Sequence, residues 1–184
     1  MKRPITYRQT LLLTAALYAF TFGFTACQHP IDDPSFSCPD MDMTASINGQ
    51  TRKMMQTNSI IFRQETDSGG LKYWSMESIS DSFKIVLNVT DGMFDQNAIK
   101  NDTIRLDTFT FRRGSTNPIH KGLVMAGIYN ANGLYDFFNT DSSAIIIRWI
   151  NTKRQVIAGT FFFTADNKRV AGGGTFNSAC YVTQ

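Results

Sequence analysis

The chain is poor in the residues from which most catalytic sites are built. It has two histidines, three cysteines and five prolines in 184 residues. A His-assisted nucleophile would have to rest on His120, because His29 sits beside Pro30 in a proline-rich stretch near the amino terminus. No Gly-x-Ser-x-Gly elbow, His-Glu-x-x-His zinc helix or Gly-x-x-x-x-Gly-Lys phosphate loop occurs. Gly172-Gly173-Gly174 lacks a following lysine and helix, and is expected to mark a bulge or bend in a strand. Lys/Arg-rich runs are also missing. Three of the 18 Lys+Arg and none of the 15 Asp+Glu precede residue 27, so the remainder balances at fifteen of each. That balance excludes the basic footprint of a nucleic-acid-binding protein. No catalytic residue, cofactor or metal is expected.

What is present begins with an address. Lys2, Arg3 and Arg8 form a positive head, and a charge-free run from Leu11 to Ala26 ends at Cys27. This is the layout of a cleaved export signal. The run reaches only about 24 Å as a helix, short of the roughly 30 Å hydrocarbon slab, which argues against a permanent span. Phe24-Thr25-Ala26-Cys27 resembles a bacterial lipobox, with Phe24 where leucine is usual. In a lipobox the cysteine thiol is acylated, palmitate being one such chain, and the cysteine becomes the first mature residue. The other reading is an ordinary secretory signal with a spare thiol. Gln28 to Pro39 holds Pro30, Pro34 and Pro39 and reads as an extended tether. The expected organisation is a signal peptide over 1–26, a lipidated tether over 27–40 and one domain over 41–184.

From Met41 onward, short extended segments alternate with turn residues and helical periodicity is nearly absent. Asn48-Gly49 and Asn132-Gly133 mark two turns, the first joining Met43–Ile47 to Gln50–Thr57 in a hairpin. Further strands are expected at Ser59–Gln64, Leu71–Ser78, Phe83–Thr90, Thr103–Phe111, Leu123–Tyr129 and Leu134–Asn139. The stretch from Asp91 to Asn101 reads as irregular, and that from Arg112 to Gly122, with His120, as a loop. Ser143–Asn151, Val156–Ala165 and Val170–Val182 predict a three-stranded meander. Strand alternation places Ile145, Ile147 and Trp149 on one face, Phe161 and Phe163 on another, and Phe176, Ser178 and Cys180 on a third. Phe162 is expected to face outward. The fold class is therefore all-β, an antiparallel sandwich or barrel-like sheet of about nine or ten strands.

Ala158-Gly159-Thr160-Phe161-Phe162-Phe163-Thr164-Ala165, Gly174-Thr175-Phe176-Asn177 and Cys180-Tyr181, with the early Met43-Thr44-Ala45-Ser46-Ile47-Asn48-Gly49-Gln50, carry a resemblance. They are similar to the ends of a family of small Bacteroidetes-type outer-membrane lipoproteins with a β-rich domain of unestablished function. The resemblance implies a lipid anchor in the outer membrane, on its periplasmic or surface face, and an all-β body.

Candidate sites are few. Asp91, Asp95 and Asn97 place oxygens in one stretch but miss the EF-hand spacing, and read as a solvated turn. Asp81, Asp107 and Asp136 would serve a glycosidase only if folding brought two of them within about 5 to 9.5 Å. Tyr129, Asn132 and Tyr135 around the second Asn-Gly turn, and Tyr73-Trp74, offer ring faces and amides to a carbohydrate, against the plainer reading of rings filling a core. With Cys27 given to lipid, Cys38 and Cys180 remain, and an exported chain can oxidise such a pair to a disulfide. The alternative is two unpaired thiols. The function expected is a non-catalytic binding or structural module with a glycan or protein ligand, and the alternative is an enzyme acting on envelope or extracellular glycan.

Overall fold

The computed structural model describes residues 37–61, 63–65, 71–93, 106–115 and 120–182, and every regular element among them is a β-strand. In chain order these are β1 (Asp42–Ile47), β2 (Gln50–Gln56), β3 (Ile60–Ile61), β4 (Arg63–Glu65), β5 (Leu71–Ile79), β6 (Phe83–Met93), β7 (Thr108–Arg112), β8 (His120–Tyr129), β9 (Tyr135–Phe137), β10 (Thr140–Asn151), β11 (Val156–Ala165) and β12 (Val170–Val182). The expected signal segment, Cys27 and the tether up to residue 36 lie outside the described residues.

Ten strands form one antiparallel path in the order β7-β10-β11-β12-β1-β2-β5-β6-β8-β9, as the all-β reading requires. Short β3 runs parallel to the end of β12, and β4 pairs with β5. The first hairpin turns at Asn48 and Gly49, whose φ angles of 48° and 81° are the positive values that make Asn-Gly suitable there. The C-terminal meander is also as expected, β10 pairing with β11 and β11 with β12.

The path does not close as a ladder. Across the gap, hydroxyls of β10 replace the missing backbone bonds to β8. Ser143 Oγ donates to the Gly122 carbonyl at 2.8 Å and accepts from the Val124 N–H at 3.1 Å, while Thr140 Oγ1 donates to the Val124 carbonyl at 2.6 Å. Gly122 is where β7 comes nearest, since a Cβ there would lie 2.7 Å from the Cβ of Phe109. The sheet is thereby barrel-like around one core. That core holds Met43, Trp74, Leu87, Phe109, Val124, Ile145, Phe161 and Phe176 from both halves of the path.

Irregular strand geometry corrects several expectations. Ile145 and Ile147 are buried together, but a register shift between Ile147 and Trp149 turns the indole out, leaving Trp149 44% exposed. In β12 the sequence alternation breaks at Ser178, which has a φ of 55°. Opposite it the β11 register slips between Ile157 and Gly159. Phe176 points inward, and after the irregularity Ala179 and Tyr181 do so instead of Ser178 and Cys180. The glycine triplet is not the bulge: both its ladders run unbroken through Gly172, Gly173 and Gly174. Missing side chains there admit phenyl rings, because a Cβ on Gly172 would lie 2.5 Å from the Phe163 ring and one on Gly174 2.7 Å from the Phe161 ring. Phe161 and Phe163 are buried and Phe162 is 54% exposed, as alternation predicts.

Two further boundaries move. β6 continues to Met93, so Asp91 is in a strand, and β8 begins at His120, opposite Asp91, so His120 is not in a loop. β7 is confined to Thr108–Arg112; Phe109 is on its buried face, while Leu106 before it is exposed.

Candidate functional site

Cys38 and Cys180 form a disulfide with Cα atoms 5.9 Å apart. It ties the incoming chain to the last strand. Beside it, Met41 N–H bonds the Cys38 carbonyl at 3.1 Å, and Asp40 pairs with Arg154. Residues 38–40, expected as tether, are therefore fixed to the body of the domain. Gln56 completes the clasp: its Oε1 accepts from the Cys180 N–H at 2.9 Å and its Nε2 donates to the Cys180 carbonyl at 2.9 Å. A side-chain amide of β2 thus bonds β12 directly, past the start of β1, which separates the two strands elsewhere in the sheet.

Next to this clasp a cleft of about 1020 Å³ opens where β2 and β5 pair over only two residues, Met55 with Ile79 and Gln56 with Ser78. The short ladder follows from the turn at Ser80–Ser82, which takes the chain into β6 before more of β2 can pair. Met41, Met54, Met55, Ile79 and Tyr135 line the apolar part of the cleft, and Lys53, Glu77, Asp81 and Lys84 its polar part. Met55 is 69% exposed, and its unbranched thioether chain is well suited to moulding around a ligand.

The polar part is an ordered chain of contacts. Lys84 Nζ is 2.7 Å from Glu77 Oε1 and lies over the Tyr135 ring at 5.6 Å from its centroid. Glu77 also accepts from the Thr57 hydroxyl at 3.2 Å. Tyr135 packs edge-on against Tyr129, with ring centroids 5.1 Å apart. Burial raises the Tyr135 hydroxyl above its ordinary pKa; the Lys84 charge opposes this, and Tyr129 and Glu77 add to it. The ring therefore stays neutral as one wall of the cleft.

Of the residues singled out in the sequence, Tyr129, Asn132 and Tyr135 come together. Asn130 Oδ1 accepts from the Asn132 and Leu134 amides at 2.9 and 3.1 Å, shaping the turn that carries Tyr129 and Tyr135 on its flanks. Only Tyr135 lines the cleft, while Tyr129 and Asn132 are at the surface beyond it. Tyr73 and Trp74 are separated by strand alternation. Trp74 is 1% exposed in the core, which removes it from any ligand surface, and Tyr73 donates from its hydroxyl to Asn88 at 2.6 Å on the other face.

The carboxylates do not assemble. Asp81 reaches the cleft and pairs with Arg52 at 3.7 Å; Asp136 is held by Asn130 at 3.0 Å; Asp107 caps the Thr108 amide at 2.7 Å, and all three are exposed. Asp91 is not in a solvated turn but buried against Lys72 at 3.0 Å, and Asp95 and Asn97 lie outside the described residues. Among the described residues no group of three His, Cys, Asp or Glu side chains is placed to hold a metal. Sequence reasoning missed the methionines of the cleft. The available signal was the adjacent pair Met54-Met55, of which strand alternation sends one to the core and the other to the outside. Comparison with protein-family models, with characterised proteins and with solved structures found no match for this chain.

Proposed function

We propose that the chain is an outer-membrane lipoprotein, acylated at Cys27, whose β-domain is a non-catalytic binding module. The observation that carries the binding reading is the cleft beside the Cys38–Cys180 disulfide, about 1020 Å³ in volume, the scale on which proteins bind small molecules. Its composition suits an amphipathic ligand, with an apolar body against Met41, Met55 and Ile79 and a polar end toward Lys53 and Asp81. Anchoring rests on the charge-free run ending in Thr25-Ala26-Cys27 and on the resemblance to Bacteroidetes-type lipoproteins.

Two measurements test this. Cys27→Ala should release the protein from the membrane fraction, and retention equal to wild type would end the lipoprotein reading. A thermal-shift screen of amphipathic small molecules and short glycans should give hits that Met55→Lys and Tyr135→Ala abolish. Hits unaffected by both substitutions would place binding elsewhere.

A further inference from the structure

The strand registers set three rows of side chains across the outer face of β7, β10, β11, β12, β1 and β2. One reads Thr108, Ile146, Thr160, Thr175, Thr44, Lys53; the next Thr110, Ala144, Phe162, Gly173, Ser46, Thr51; the third Arg112, Ser142, Thr164, Ala171. Hydroxyls dominate, and the charged residues in these rows are both cations. Asp42 enters only in the following row, opposite Asn177. Near the centre Phe162 leans over Gly173, where a Cβ would lie 2.9 Å from its ring, so a phenyl face is laid along the strands.

At the end of the third row the cations gather. Arg112, Arg113, Asp141, Ser142, Asn167 and Lys168 surround a depression of about 570 Å³. Arg113 is spent on Asp141, 3.6 Å away, and on the Thr140 carbonyl. Among the described residues Arg112 and Lys168 have no ion-pair partner. Lys168 is held in place by its turn. Asp166, Asn167 and Lys168 all have positive φ, and the turn is pinned by Lys168 N–H to Asp141 at 2.9 Å and by Asn139 N–H to Asp166 at 3.0 Å.

We propose that this face binds an acidic polysaccharide. A sugar ring lies with its C–H face on Phe162, hydroxyls exchange hydrogen bonds with Thr110 of the second row and with Ser142 and Thr164 of the third, and a uronate or sulfate group is met by Arg112 and Lys168. The charge complementarity is specific in place: cations stand where the hydroxyl rows end, and guanidinium favours bidentate pairing with a carboxylate. Nucleic acid would need a longer basic track, and a membrane surface would need apolar side chains beyond one phenyl. The cationic end of the site lies by the Val170 end of β12, opposite Cys180, and Phe162 faces Gly173, seven residues from Cys180 or about 23 Å at ~3.3 Å per residue, so the polymer is met away from the disulfide.

The test is retention of the full-length protein, in detergent, on immobilised polygalacturonate and on a sulfated galactan, with dextran, polyglutamate and duplex DNA as alternatives. Wild type should be retained on at least one of the two acidic glycans and released by salt. Phe162→Ala should weaken retention, and the Arg112→Ala/Lys168→Ala pair should weaken it roughly tenfold or more, as loss of a charged hydrogen bond implies. Both change exposed side chains, and unchanged melting temperatures check that the fold is intact. No retention on either acidic glycan overturns the proposal. So does equal retention on dextran, or binding to polyglutamate or DNA as strong as to the glycans, or binding indifferent to Phe162.

Discussion

Ser143 is bonded to Gly122 across the one gap in the sheet path, and the same hydroxyl also receives the Val124 N–H. Backbone pairing between β8 and β10 is thus replaced by two hydroxyls, Ser143 acting as donor and acceptor and Thr140 donating to the Val124 carbonyl, in a buried setting where neither strand can turn to water for a substitute. Ser143→Ala leaves the Val124 amide and Gly122 carbonyl without that partner, and a buried group left unsatisfied costs about 1 to 3 kcal/mol. Denaturant unfolding should show a loss in that range. Ser142→Ala, whose hydroxyl is half-buried and shared with Thr164 at 2.9 Å on the outer face, should cost less. Equal losses would mean that the seam is held by packing alone.

The three consecutive phenylalanines of β11 separate core from surface. Phe161 and Phe163 occupy space vacated by the side chains missing at Gly174 and Gly172. Truncating either to Ala should cost about 3 to 5 kcal/mol. Phe162→Ala, on the outer face, should remain within about 0.5 kcal/mol. Melts of the three single variants check this, and a large loss at Phe162 would contradict the register.

Much of this architecture was legible from residue type. β11 and β12 have the limits that the sequence implies, because polar turn residues bound the segments on either side of Asp166-Asn167-Lys168. Alternation fails where one residue is added to a strand. Trp149 and Cys180 change sides after the irregularities preceding them, and no side-chain pattern announces a backbone φ of 55° at Ser178. The cleft was less visible still. Tyr135 stood out as an aromatic near a turn, but Met41, Met55 and Ile79 are ordinary strand residues until the two-residue pairing of β2 with β5 leaves them facing a common space. Asp91 looked like a turn carboxylate because its neighbours are polar; its partner Lys72 comes from another strand and is invisible in local sequence.

That ion pair carries its own expectation. Lys72 and Asp91 meet at 3.0 Å with side chains 6% and 2% exposed. Removing one partner of a buried ion pair costs about 3 to 5 kcal/mol, whereas replacing both with apolar residues of similar volume is often close to neutral. Asp91→Asn should therefore be much more destabilising than the Lys72→Met/Asp91→Leu pair. Equilibrium unfolding of the two forms decides, and a double variant no better than the single one would show that the charges also organise their surroundings.

The disulfide gives the last expectation. Cys38 and Cys180 are 142 residues apart in sequence, so the bridge restrains almost the whole domain in its unfolded state. In the chain-entropy picture a loop of that length corresponds to about 5 kcal/mol. The native clasp of Gln56 on the Cys180 backbone does not depend on the sulfur and goes on holding that part of β12, so reduction should loosen chiefly the start of the domain around Cys38 and Met41. Alkylation of native, unreduced protein followed by peptide mass mapping should leave Cys38 and Cys180 unlabelled, and prior reduction should expose both. Hydrogen exchange after reduction should rise first at Met41, whose N–H bonds the Cys38 carbonyl, and less at Ala179 and Tyr181. Alkyl groups on Cys38 and Cys180 without reduction would show two free thiols, and the β1–β12 ladder, with the Gln56 clasp beside it, would then hold the two ends of the domain together.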